Sequence, residues 1–353
     1  MIGITSNVME SWNRSRGSLA SRNQAKLALD QLENDLEGLL LRKDGNVWFV
    51  VSITRQQPSV GGDAGISDAN YTNRQSKPGG AAQSLRLNPS ANSLVPPIEE
   101  LRFGHIGVWL RFFSIEADSN VRIADLSGPR AISYQIARVP DRSGLSGATA
   151  AFDRRYFLYR STARAAPLNS TNAPAPSTFG RGYNLLDTTA YRIAGITAAT
   201  NGEPDSIRRP DRTAIIASDV VDFGVRVFVA APDGRMVERF PVDRSDVGDP
   251  TPPQVWAFVA YHGEAPPIPP FLPYPTIFQA TDVAYGTPSE VEVFVRVLTE
   301  EGASTLRGLE NPSAGYVPGI ASTTAFADRW WEIAIANSEV YSRRIKVRAV
   351  GIP

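Results

Sequence analysis

The sequence predicts an α+β fold, a long N-terminal helix laid on a large antiparallel β-sheet domain with long loops. Three observations predict it. Apolar residues recur at helical spacing from Ile4 to Leu41, alternating β-branched and aromatic runs fill most of the remainder, and Gly/Pro/Ser-rich stretches separate those runs. The helix is read as an assembly element over 1–45 and the rest, 46–353, as one β-rich globular domain.

Within the helix, Ile4, Val8 and Trp12 are spaced by four. Leu29, Leu32, Leu36 and Leu39 follow at spacings of three and four, which puts each set on one stripe of a 3.6-residue helix. The first set is assigned to an assembly face and the second to packing of the helix on its own sheet. Gly17 weakens the interior by about 1 kcal/mol relative to Ala, and Lys43-Asp44-Gly45 supplies the stop, with Gly45 suited to a left-handed cap. A continuous helix of this span measures about 60 Å at 1.5 Å per residue.

Strands are expected at NVWFVVSI, IGVWLRFFSIE, RAISYQIARV, RYFLYRSTA, VVDFGVRVFVA, QVWAFVAYH, EVEVFVRVLTE and SRRIKVRAV. Val221, Phe223, Val225, Val227 and Val229 alternate to one face, as do Val291, Val293, Val295 and Val297. A turn is expected at PDG, and Trp330-Trp331 as core aromatics at a strand start. Residues 56–97 and 241–276 are read as long loops, the second enclosing QVWAFVAYH.

Composition narrows the function. The 353-residue chain holds 36 Lys plus Arg against 36 Asp plus Glu, so no net charge favours nucleic acid, and none is expected as a partner. It has no cysteine and two histidines, His105 and His262, which excludes disulfides, thiolate chemistry and multi-His metal centres. No Gly-x-Ser-x-Gly elbow accompanies the histidines, so a hydrolase reading rests on them alone. Asp205, Arg208, Arg209 and Asp211 make a charged loop in which adjacent arginines could clamp an anion. Asp243, Asp246 and Asp249 lack the spacing of a calcium loop. No nucleotide fingerprint is present. No catalysis, cofactor or metal is expected.

The helix AKLALDQLENDLEGLLLRKDG (Ala25 to Gly45) resembles that of type IV pilin-like proteins, in particular the minor pseudopilin J family of type II secretion systems. DVVDFGVRVFV from Asp219, TPSEVEVFVRVLTEEG from Thr287 and the closing YSRRIKVRAV resemble later strands of that family. The phrases at Thr5 to Gly17, Leu32 to Val50 and Trp109 to Ser114 are similar to the prepilin-like Verru_Chthon cassette protein C subgroup. The resemblance runs over most of the chain. It implies a pilin-like fold and a structural subunit of a pseudopilus or pilus-like filament. Such a subunit is anchored in the inner membrane, faces the periplasm and packs by its N-terminal helix against other pseudopilins or pilin-like subunits. The prepilin signature G-F-T-L-x-E is missing, so about 20 to 30 further apolar residues are expected upstream of Met1 as the membrane anchor. The rival reading is an envelope-associated binding module that recognises secreted cargo or a glycan through its long loops.

Overall fold

The computed structural model describes residues 2–41, 47–53, 108–115, 129–140, 154–163, 212–241, 257–261, 283–310, 324–347 and 350–351. Helix α1 runs Ile2–Glu37, with side chains described from residue 19. Strands β1 (Leu40–Leu41), β2 (Val47–Ile53), β3 (Val108–Ile115), β4 (Pro129–Pro140) and β5 (Arg154–Ala163) follow. After a short 3-10 turn at Arg212–Ala214 come β6 (Ile215–Ser218), β7 (Val220–Ala230) and β8 (Met236–Phe240). The order closes with β9 (Ala257–Tyr261), β10 (Val283–Tyr285), β11 (Glu290–Leu298), α2 (Glu300–Leu309), α3 (Thr324–Ala336), β12 (Ser338–Lys346) and β13 (Val350–Gly351).

The described residues are mostly strand, arranged in two principal sheets, and this overturns the expected pilin-like α+β class of a helix laid on one large sheet. One sheet has seven strands in the order β10-β9-β2-β3-β4-β5-β6; the other has four, β12-β11-β7-β8. Pairing is antiparallel throughout both, except for β10 on β9. The reason lies in β7 and β11, read from the sequence as further strands of one sheet. Val291, Val293 and Val295 stand opposite Val227, Val225 and Phe223, forming a second apolar face that is buried against the first sheet. A stacked aromatic row, Phe49 to Phe112 to Tyr134, crosses the first sheet and meets Phe223 of the second at 6.3 Å.

A bulge breaks the alternation expected in β7. Its register to β11 shifts between Arg296 and Val297, so Val220 takes the main-core position while Val221 joins a second cluster. Asp219, at φ 57°, starts the irregularity, and its carboxylate is gripped by Arg155. The hairpin from β7 to β8 turns at Pro232-Asp233-Gly234, where φ of 81° at Gly234 needs a residue without a Cβ.

Two further expectations are corrected. Helix α1 stops at Glu37, ahead of the Lys43-Asp44-Gly45 stop, and Leu40–Leu41 pair in parallel with Val350–Gly351. Three consecutive leucines sweep about 200° of a helical wheel, so they cannot share one buried face as a helix. Trp330 and Trp331 lie in α3 and not at a strand start. Trp330, Trp331 and Ala334 are buried while Glu332 and Ile335 are exposed, a spacing that only a helix satisfies.

Candidate functional site

The seat of α1 is the most elaborate polar constellation among the described residues. The helix's buried stripe, Ala25, Ala28, Leu29, Leu32 and Leu36, joins a single apolar cluster built from both sheets. Leu29, Leu32 and Leu36 are thus packed in α1, and Leu39, just past the helix end, is also fully buried and bridges to Ser114 of β3.

Beside that stripe runs a polar line at spacings of three, seven and four: Ser21, Gln24, Gln31 and Asp35. Its ends and middle are fastened to different strands. Ser21 Oγ donates to the Leu298 carbonyl of β11 at 3.1 Å. Ser218 of β6 donates both its backbone N–H and its hydroxyl to Gln24 Oε1, each at 3.1 Å. Ser114 Oγ donates to the Asp35 backbone carbonyl at 2.7 Å, satisfying one of the carbonyls that every helix end leaves without an internal partner.

Asp35 is the centre of this seat, with 4% of its surface exposed. Its carboxylate accepts two bonds from Arg160 of β5, Nε at 2.6 Å and Nη2 at 2.8 Å. It also accepts the Tyr134 hydroxyl of β4 at 2.5 Å and the Gln31 amide at 3.2 Å. Burial, and next the negative charge of Asp35, push the Tyr134 hydroxyl well above its ordinary pKa, so it stays a neutral donor. On the other flank, Arg343 of β12 pairs with Asp30 at 2.7 Å and with Glu33. Residues 21–36 of α1 are therefore bolted to both sheets, by neutral bonds and by charge.

The second cluster is separate. Glu310, which caps the end of α2, accepts the Tyr156 hydroxyl at 2.6 Å and the Trp330 indole N–H at 2.7 Å. It ties α2 and α3 to β5. Across the outer face of the four-stranded sheet, Arg226 pairs with Glu238 at 2.6 Å and Glu292 at 2.9 Å, an alternating-charge row over three strands.

These groups do structural chemistry. The Asp35 carboxylate is enclosed and fully engaged, so it orients α1 and presents no face to a substrate. Among the described residues, no group of three or more His, Cys, Asp or Glu is placed to hold a metal, and no helix is long and apolar enough to cross a membrane.

Of the residues singled out from sequence, Ile4, Val8 and Trp12 fall within α1 but outside the described side chains. His105, His262, Asp205, Arg208, Arg209, Asp211, Asp243, Asp246 and Asp249 lie outside the described residues, as do the loop 56–97 and most of 241–276. Sequence reasoning missed Asp35, Arg160 and Tyr134. The available signal was a carboxylate between Leu32 and Leu36, on the border of the apolar stripe, where solvent-facing residues are not expected.

Comparison of the chain with protein-family models, curated proteins and solved structures finds no match.

Proposed function

We infer that this chain is a structural subunit of a cell-envelope filament. It is a minor pseudopilin of a type II secretion pseudopilus, or a subunit of a type IV pilus-like filament, that faces the periplasm from the inner membrane. Its task is to assemble with other pseudopilins or pilin-like subunits through α1. No catalytic step is part of this reading.

One observation carries it beyond the sequence resemblance. While residues 21–36 of α1 hold the domain on one side, Leu19 and Leu27 stand 59% and 67% exposed on the other. Leu19 follows Trp12 by seven residues, and Trp12 follows Val8 and Ile4 at intervals of four. At 3.6 residues per turn Leu27 lies half a turn from Leu36, and the sequence row Ile4, Val8, Trp12 and Leu19 falls about a quarter turn from the phase of Leu29, Leu32 and Leu36. A helix with one apolar row buried in its own domain and leucines exposed on its other side is suited to packing against a neighbour.

Cross-linking in the native envelope tests the reading. The chain has no cysteine, so Trp12→Cys introduces the sole thiol. A bifunctional maleimide is expected to convert the full-length variant into higher-mass adducts. A variant that stays monomeric under cross-linking, while retaining its fold, overturns the assembly role.

A further inference from the structure

A single residue carries the chain from one sheet to the other. β6 ends at Ser218 on the edge of the seven-stranded sheet, and β7 begins at Val220 inside the four-stranded sheet. Asp219 between them has φ 57°, the one non-glycine residue with positive φ among the described residues. Side chains enter that region at a cost, and it persists where the surroundings hold it. Here β5 grips the Asp219 carboxylate through Arg155, at 3.1 and 2.5 Å, and the Leu298 N–H of β11 donates to its carbonyl at 2.9 Å. Helix α1 grips the residues on either side of that contact. Gln24 Oε1 accepts both the N–H and the hydroxyl of Ser218, and Ser21 Oγ donates to the Leu298 carbonyl. β6 holds on by little else. It has four residues, of which Ala217 alone is buried, and three register pairs to β5 with a shift between Leu158 and Tyr159. Its Ile215 packs with Phe157 and Tyr159 in a small cluster apart from the main core.

We propose that this junction is a latch: β6 stays on the seven-stranded sheet only while residues 21–24 of α1 are seated. Lifting that part of the helix frees β6 and lets Asp219 leave its left-handed conformation before the main core opens. Asp35 lies eleven residues beyond Gln24, about 16 Å along the axis. Its ion pair with Arg160 therefore holds the later part of α1 while the earlier part lifts. The coupling is reciprocal, since two events that favour each other do so by the same free energy. A change at Asp219 must then loosen α1, although no hydrogen bond joins the two directly among the described residues. The latch uses bonds within one chain and does not depend on the assembly reading above.

Hydrogen–deuterium exchange on the full chain tests the forward direction. Gln24→Ala removes the acceptor that Ser218 uses twice. The amides of β6 and of Leu298 are expected to exchange about tenfold faster, with those of β3 and β4 unchanged. No change, a rise at Ser218 alone, or an even rise over all strands overturns the latch. Thiol labelling tests the reverse direction. The chain has no cysteine, and Ala25 is fully buried in the seat, so Ala25→Cys supplies one thiol that is covered while α1 is seated. Adding Asp219→Ala, which disfavours the left-handed conformation and removes the carboxylate held by Arg155, is expected to speed maleimide labelling of that thiol about tenfold. An unchanged labelling rate overturns the coupling. Should Asp219→Ala fail to fold, Asp219→Asn tolerates the left-handed conformation and loses only the charge. It is expected to speed labelling by a smaller factor, and no increase there overturns the coupling equally.

Discussion

Replacing Asp35 by Asn tests what holds α1 to the domain. The substitution preserves volume and one acceptor but removes the charge that faces Arg160 at 2.6 and 2.8 Å. The Arg160 side chain is 14% exposed and the Tyr134 side chain fully buried, so neither recovers much water when its partner is lost. Breaking one member of a buried ion pair costs about 3–5 kcal/mol, mainly because a charge is left enclosed without its counter-charge. For a chain of this size each kcal/mol lowers Tm by about 2 °C, so the expected loss is about 6–10 °C. Differential scanning calorimetry with chemical denaturation on the full chain measures both. The reasoning also predicts non-additivity: Asp35→Leu combined with Arg160→Met removes both charges and should cost less than the sum of the singles by about 1–3 kcal/mol. A single-variant loss under about 1 kcal/mol, or strict additivity, would refute the idea that this ion pair seats the helix.

Other outcomes follow from the same contacts. Leu32, 1% exposed between the two sheets, should cost about 2–5 kcal/mol as Leu32→Ala, read by denaturant titration. At Gly302 in α2 an added Cβ would lie 2.5 Å from the Asn337 Cβ and 2.8 Å from its carbonyl oxygen, both backbone-fixed, so Gly302→Ala should destabilise by about 1–3 kcal/mol despite alanine's better helix propensity. The raised pKa of Tyr134 means the folded state keeps a proton that the unfolded chain releases near pH 10. Its contribution is therefore complete below about pH 10 and is lost as the pH climbs through the higher folded-state value; Tyr134→Phe should flatten that alkaline limb of the stability profile.

Much of the strand content was legible because each strand is short, alternating or continuously apolar, and bounded by turn residues. The strands β2, β3, β4, β5, β7, β9 and β11 all fall where β-branched and aromatic residues cluster. What period-2 alternation cannot say is which sheet a strand joins. Val225 in β7 and Leu110 in β3 carry the same apolar signal, yet they come from opposite layers of one core. The bulge at Val220–Val221 was equally hidden, because Val220 and Val221 are both valine and the shift is visible only in the pairing to β11. Helix α2 carries a local signal in its sequence. Thr299 precedes Glu300-Glu301, and its hydroxyl accepts the Gly302 N–H at 3.1 Å, an N-cap with acidic residues in the first turn. The Asp35 seat was the hardest to foresee, since its partners Tyr134 and Arg160 lie 99 and 125 residues away. Local spacing marks the carboxylate as misplaced for solvent but cannot name what receives it.

Helix α1 is proposed to have two faces, one seated in its own domain and one used for assembly. Analytical sedimentation of the protein purified from its native host tests this directly when Val8→Asp and Trp12→Asp are compared with the parent chain. Both variants are expected to lose the assembled fraction while their unfolding free energies stay within about 1 kcal/mol of the parent. Assembly that persists in both variants, or variants that lose the fold along with the assembly, would contradict it.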